Sequence, residues 1–156
     1  MLAALSACAA EDTTIDHVHD ACAPLEVHVG SPNAAQASGL AGAFALWRDH
    51  GAPLLGTTGD ASVELAFMPA AAAFRGIYDD EAGVIYINDA LTDPDVLAIV
   101  IAHELGHAFG LPHVGGHDSV MIKGNLTLVP TAADTASLAA LWGACPATSA
   151  SAPPGS

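Results

Sequence analysis

The chain has 156 residues, 52% of them hydrophobic, enough for one compact domain with its own core plus tails. Three cations, Arg48, Arg75 and Lys123, stand against 17 acidic residues for a net charge of −14, a field that repels phosphate backbones and excludes nucleic acid as a partner. No apolar run approaches the roughly 20 residues of a membrane-spanning helix.

Leu5-Ser6-Ala7-Cys8 is similar to a bacterial lipobox, in which a signal peptide is cut before a cysteine that is then lipidated. Residues 1–8 therefore read as a truncated lipoprotein signal with Cys8 as the lipidated residue, and simple secretion is the alternative. Either route places the chain outside the cytoplasm, secreted or lipid-anchored at a bacterial cell envelope, as a monomer whose contact with membrane is the anchor alone. Residues 9–24 carry Glu11, Asp12, Asp16, His17, His19 and Asp20 without an apolar period and read as a flexible tether. With Cys8 removed from the count, Cys22 and Cys145 remain, one before the first strand and one after the last helix. They are either a disulfide closing the domain, contributing on the order of 4 kcal/mol through the unfolded chain, or two unpaired thiols.

Residues 25–145 form the folded unit. Leu25 to Gly30 alternates apolar and polar residues, a strand with one buried face. Ser31-Pro32-Asn33 opens a helix reaching about His50, whose stripe of Leu40, Ala43, Phe44 and Trp47 is expected to pack on the sheet. Val63 to Met68 is the next strand. Phe74 to Tyr78 and Val84 to Asn88 make a hairpin around Asp79-Asp80-Glu81-Ala82-Gly83, the first as an edge strand and the second as an internal strand covered on both sides. The Asp79-Asp80-Glu81 run is either a calcium-binding turn or simply solvated.

Asp93-Pro94 is an N-cap and N1 pair, and the helix it opens runs to about Phe109 with Leu97, Ile101, Leu105 and Phe109 as one stripe. His103 and His107, four apart, lie on another face one turn from each other, close enough to share a metal ion. Glu104 sits about 100° round from His103, beside such an ion, where it can take a proton from water. His113 would be about 9 Å further along and about 120° off that face if the helix continued, so the chain must break. Gly110 can take positive φ at the helix end and Pro112 cannot extend it, which lets His113 return. Three neutral imidazoles leave one tetrahedral position open, the mark of a catalytic zinc site. His117 is expected to be exposed. Residues 122–130, with Ile122, Leu126, Leu128 and Val129, suggest an apolar pocket wall, and Thr131 caps a last helix that carries Leu138, Leu141 and Trp142 to Gly143. Residues 146–156 are a disordered tail.

The string HExxHxxGxxH, with Met121 eight residues beyond His113, resembles the metzincin clan of zinc endopeptidases, most nearly its matrixin-like bacterial members. The likeness spans about residues 84–122. Val114 stands where matrixins carry Ser, and no Tyr follows Met121. The resemblance implies a metzincin-like α/β fold: a small mixed, mostly parallel sheet, an active-site helix, a second long helix and a C-terminal helix. It implies one zinc ion on His103, His107 and His113, Glu104 as general base, and Met121 as an apolar floor. It also implies an edge strand that binds a protein or peptide substrate, here Arg75, Gly76 and Ile77, with Ile122 in the wall beside the cleaved bond. The expected activity is hydrolysis of internal peptide bonds, and the rival reading is a non-catalytic, surface-anchored binding protein on the same scaffold.

Overall fold

The computed structural model describes residues 15–146; the lipobox with Cys8, the tether residues before Ile15 and the tail from residue 147 lie outside them. Four strands form one mixed sheet in the order β1-β2-β4-β3: β1 (Leu25–Val29), β2 (Ala61–Met68), β3 (Gly76–Asp79) and β4 (Val84–Asn88). The first three positions are parallel, and β3 pairs antiparallel with β4 at the edge. With α1 (Ala34–Asp49), α2 (Pro94–Ala108) and α3 (Ala132–Trp142), the chain is a small α/β protein of four strands and three helices. β2 starts two residues before the expected Val63, because Ala61 and Ser62 find partners in Leu25 and Glu26.

The register places Val27, Val63, Leu65, Phe67, Ile85 and Ile87 on one face, where Val63, Leu65, Ile85 and Ile87 are fully buried. The opposite face carries Glu26, His28, Ser62, Glu64 and Tyr86. This corrects the expectation that β4 is covered on both sides: Val84 and Tyr86 are only half-buried. A sheet with one apolar and one polar face needs helices on one side alone.

Helix α1 departs from expectation as well. Its buried line is Gln36, Gly39, Ala43 and Trp47, and its close neighbour is α2 rather than the sheet. A Cβ built on Gly39 would lie 2.5 Å from the Leu97 Cβ, and one on Gly42 would lie 2.9 Å from the Ala98 Cβ. Two glycines on one face thus bring the helix backbones together. Leu40 and Phe44, expected in the buried stripe, are half-buried to the side. The Trp47 indole, completely buried, donates to the Ala102 carbonyl at 2.7 Å and fastens α1 to the turn of α2 that precedes His103.

Residues 15–24, where the sequence offers only a polar tether, are fastened to the body. The Asp16 amide donates to the Asp80 carboxylate, the Tyr78 hydroxyl to the His17 carbonyl at 2.9 Å, and the His19 amide to the Ala108 carbonyl at 2.8 Å. Ala21 is in the core, and Cys22 forms a disulfide with Cys145 across 123 residues, S–S 2.10 Å. Distant hydrogen-bond partners, Tyr78 on β3, Asp80 just after it and Ala108 on α2, decide that path, and hydropathy along the segment carries no trace of them.

Candidate metal centre

Helix α2 is buried on nearly every side, with Leu97, Ile101 and Leu105 at 0% exposure, so side chains that it directs into a cleft start from a fixed backbone. Asp93 caps its start by accepting from the amides of Asp95 and Val96. Its end is a Schellman turn: the Gly110 amide donates to the His107 carbonyl at 2.8 Å and the Leu111 amide to the Gly106 carbonyl at 2.9 Å, with Gly110 at φ +91°. That turn stops the helix and also swings the Leu111 carbonyl under His107. The remaining end carbonyls are taken by the His19 amide and by the Trp142 indole, which donates to Phe109 at 2.8 Å.

The break brings His113 back, and the ligand nitrogens of His103, His107 and His113 all lie within 4.8 Å of one another. His103 Nδ1 donates to the Val120 carbonyl at 2.7 Å and His107 Nδ1 to the Leu111 carbonyl at 2.8 Å. A carbonyl can only accept, so each Nδ1 holds the proton and each Nε2 carries a lone pair. Both lone pairs face the His113 Nε2, at 3.1 Å from His103 and 3.3 Å from His107. One proton among three nitrogens cannot satisfy both contacts, whereas a cation can receive all three lone pairs. Tetrahedral zinc with bonds of about 2.0–2.1 Å sets its nitrogen ligands about 3.3 Å apart, so the donor set and its spacing fit such an ion. It is the one converging group of potential ligands among the described residues. Asp79, Asp80 and Glu81 do not converge; Asp79 closes its own turn by accepting from the Ala82 amide.

Burial lowers the proton affinity of His103, opposed by its bond to Val120. Burial, with His103 and His113 adding, brings His107 down to about 4 against the pull of Leu111 and Asp80. Imidazoles that resist protonation are ready as neutral ligands. Glu104, 5% exposed, is pushed up to about 8 by burial, against a hydrogen bond from the Tyr78 backbone.

A buried carboxyl needs room, and Gly76 supplies it. A Cβ there would stand 3.0 Å from Glu104 Oε1 and 3.1 Å from its Cγ. Met121, 1% exposed, fills the opposite side of α2, where a Cβ on Gly106 would lie 2.3 Å from its sulfur. Behind it stands a residue that the sequence reading did not assign to the site. Asp134, 3% exposed, receives the Ser119 hydroxyl, the Val120 amide at 3.3 Å and the Thr131 amide at 2.8 Å. The same Val120 offers its carbonyl to His103, so α3 is linked to the orientation of His103 through the backbone of one residue. Its only sequence signal was the Thr131–Asp134 capping box.

The cleft over the triad has a volume of about 760 Å³. Arg75, Gly76 and Ile77 line it, together with Glu104 and the three histidines. Ile122 does not, nor do Leu126, Leu128 and Val129; that wall is Lys123, Gly124 and Asn125. Ile122 is engaged in a bridge with Val114, and Leu126 packs on the core, so the expected apolar wall is polar. Ile15 and Asp16 also line the rim, unforeseen because their segment read as a tether. His117 is exposed, outside the triad. No protein-family model matches the chain, and no curated protein matches it in sequence.

Proposed function

We propose that this protein is a zinc-dependent endopeptidase of the metzincin kind. The observation that carries the reading is the buried carboxyl of Glu104 beside three imidazole nitrogens that converge at metal-ligand spacing in an open cleft. A scaffold that merely holds zinc needs the histidines alone. It has no use for an acid buried against its own desolvation and given a glycine for clearance.

Zinc held there would supply Lewis acidity, polarising a carbonyl and lowering the pKa of water towards about 7. His103, His107 and His113 would hold it, with the first two kept in the ligating tautomer by Val120 and Leu111. Glu104 then takes the proton from the attacking water as its oxygen bonds to the peptide carbon, and returns that proton to the leaving amine when the carbon–nitrogen bond breaks. Burial raises the proton affinity of Glu104 and so strengthens it as the proton acceptor in the first half of that transfer. β3 has a partner on one side only, and Ile77 is 50% exposed, so the open edge can take an extended peptide as an added strand. The Cys22–Cys145 disulfide suits an oxidising, extracytoplasmic compartment.

The test is metal content together with turnover. Purified protein should hold one zinc ion and cleave a broad peptide library in a chelator-sensitive way. Glu104→Ala should retain zinc and lose cleavage. Wild-type rates in that variant, or a wild-type protein without cleavage at full zinc occupancy, refute the reading.

A further inference from the structure

The cleft is charged unlike the rest of the molecule. Of the three cations in a chain of net charge −14, Arg75 and Lys123 line it. The third, Arg48, is used elsewhere: its Nε donates to the Leu55 carbonyl at 2.9 Å and its guanidinium lies over the Phe44 ring. Arg75 directly precedes β3, next to the glycine against which Glu104 packs. Its Nη1 donates to the Ala72 carbonyl at 2.6 Å, which restrains the guanidinium. Lys123 is exposed in the polar wall.

Past the other end of β3 the lining turns acidic, with Asp16, Asp80 and Glu81. The Asp16 amide donates to the Asp80 carboxylate at 2.6 Å and His17 Nδ1 lies 2.7 Å from the Asp80 carbonyl, so this group is anchored at the rim. From Arg75 to Asp80 the nearly extended chain covers about 16 Å, the length of about five residues of a strand laid beside it.

We propose that the cleft selects extended peptides by charge order: an acidic side chain within about two residues of the cleaved bond, beside Arg75 and Lys123, and a basic side chain about four residues away on the other side, beside Asp16, Asp80 and Glu81. The proposal rests on the peptidase reading above and names its substrate class. So acidic a molecule repels acidic peptides at long range, and the two cations make the cleft the place where an acidic side chain gains from binding. Ion pairs at such exposed positions are individually weak and screened by salt, so the effect is a preference of about tenfold, carried by attraction in one charge order and repulsion in the other.

The zinc-loaded full chain is assayed on three quenched fluorescent peptides sharing one neutral core: uncharged, Glu and Lys flanking the core in one order, and the same pair reversed. One charged order should exceed the uncharged peptide in kcat/KM by about tenfold at low ionic strength, and the other should fall below it. The spread should collapse at about 0.5 M salt. The double variant Arg75→Glu/Lys123→Glu, confirmed by its zinc content, leaves both ends of the cleft acidic and should bring the ratio of the two orders close to one. Fluorescence anisotropy of the same peptides with zinc-loaded Glu104→Gln should rank them identically without turnover. Equal kcat/KM for both orders, or a ratio unmoved in the double variant, overturns the charge selection while leaving the peptidase standing. No cleavage of any peptide at full zinc occupancy removes both.

Discussion

Replacing Glu104 by Gln should make the metal-free protein more stable, and by an amount that depends on pH. Its carboxyl, 5% exposed, has its pKa raised from 4.5 to about 8 by burial. The folded state therefore keeps a proton that the unfolded chain releases as pH rises above 4.5. By linkage, stability falls through that window and levels off above about 8. At 1.36 kcal/mol per tenfold in proton affinity, the accumulated penalty is about 3–5 kcal/mol. Gln has nearly the same shape, can accept from the Tyr78 backbone through its oxygen, and never ionises. His103 and His107 contribute with the opposite sign. Their lowered proton affinity costs stability as pH falls below 6.5, equally in both proteins, so the difference between wild type and variant isolates Glu104. Urea unfolding in the presence of chelator should find the two alike near pH 4 and the variant ahead by about 3–5 kcal/mol near pH 9. A gap that stays constant across that range would refute the argument that burial alone destabilises this carboxylate. Against zinc-loaded substrate turnover the same variant should be inactive, the pattern of a residue kept for function at the expense of stability.

Three further substitutions and one chemical treatment probe the frame of the site. Gly76→Ala places a methyl 3.0 Å from Glu104 Oε1; it should lower kcat at least tenfold with under about 1 kcal/mol of stability lost, because a flexible carboxyl tip can yield. Equal losses in stability and rate, compared by urea titration and peptide cleavage, would count against that clearance role. Gly106→Ala drives a methyl to 2.3 Å from the Met121 sulfur; overpacking of about 1–3 kcal/mol should exceed the helix-propensity gain of about 1 kcal/mol, and competition with a chelator should show weaker zinc binding. Asp134→Ala removes the acceptor for Ser119, Val120 and Thr131; it should destabilise by about 2–4 kcal/mol and weaken zinc about tenfold or more, as read by the same two assays. Reducing Cys22–Cys145, which closes 123 residues, should lower the urea midpoint by the equivalent of about 4 kcal/mol, and an unchanged midpoint would mean the unfolded chain gains nothing from release.

The parts of this protein legible in its sequence are those settled within a few residues of backbone. Asn33, Asp93 and Thr131 cap the three helices as their residue types dictate, and the four-residue step from His103 to His107, followed by Gly110 at φ +91°, brings the triad together almost unaided. The open edge at β3 was readable too, from a short strand with a glycine beside an apolar one. What the tertiary structure alone decided depends on how those elements lean on one another. Gly39 and Gly42 turn α1 towards α2 instead of the sheet, and Asp134 on α3 reaches Val120 and through it His103. Residues 15–24 are tied to the body by hydrogen bonds to Asp80, Tyr78 and Ala108, and Lys123 enters the cleft wall because Ile122 is held in its bridge to Val114. Local preferences act over one turn or one pleat, whereas these contacts join segments tens of residues apart, and their geometry exists only once the helices and sheet have packed.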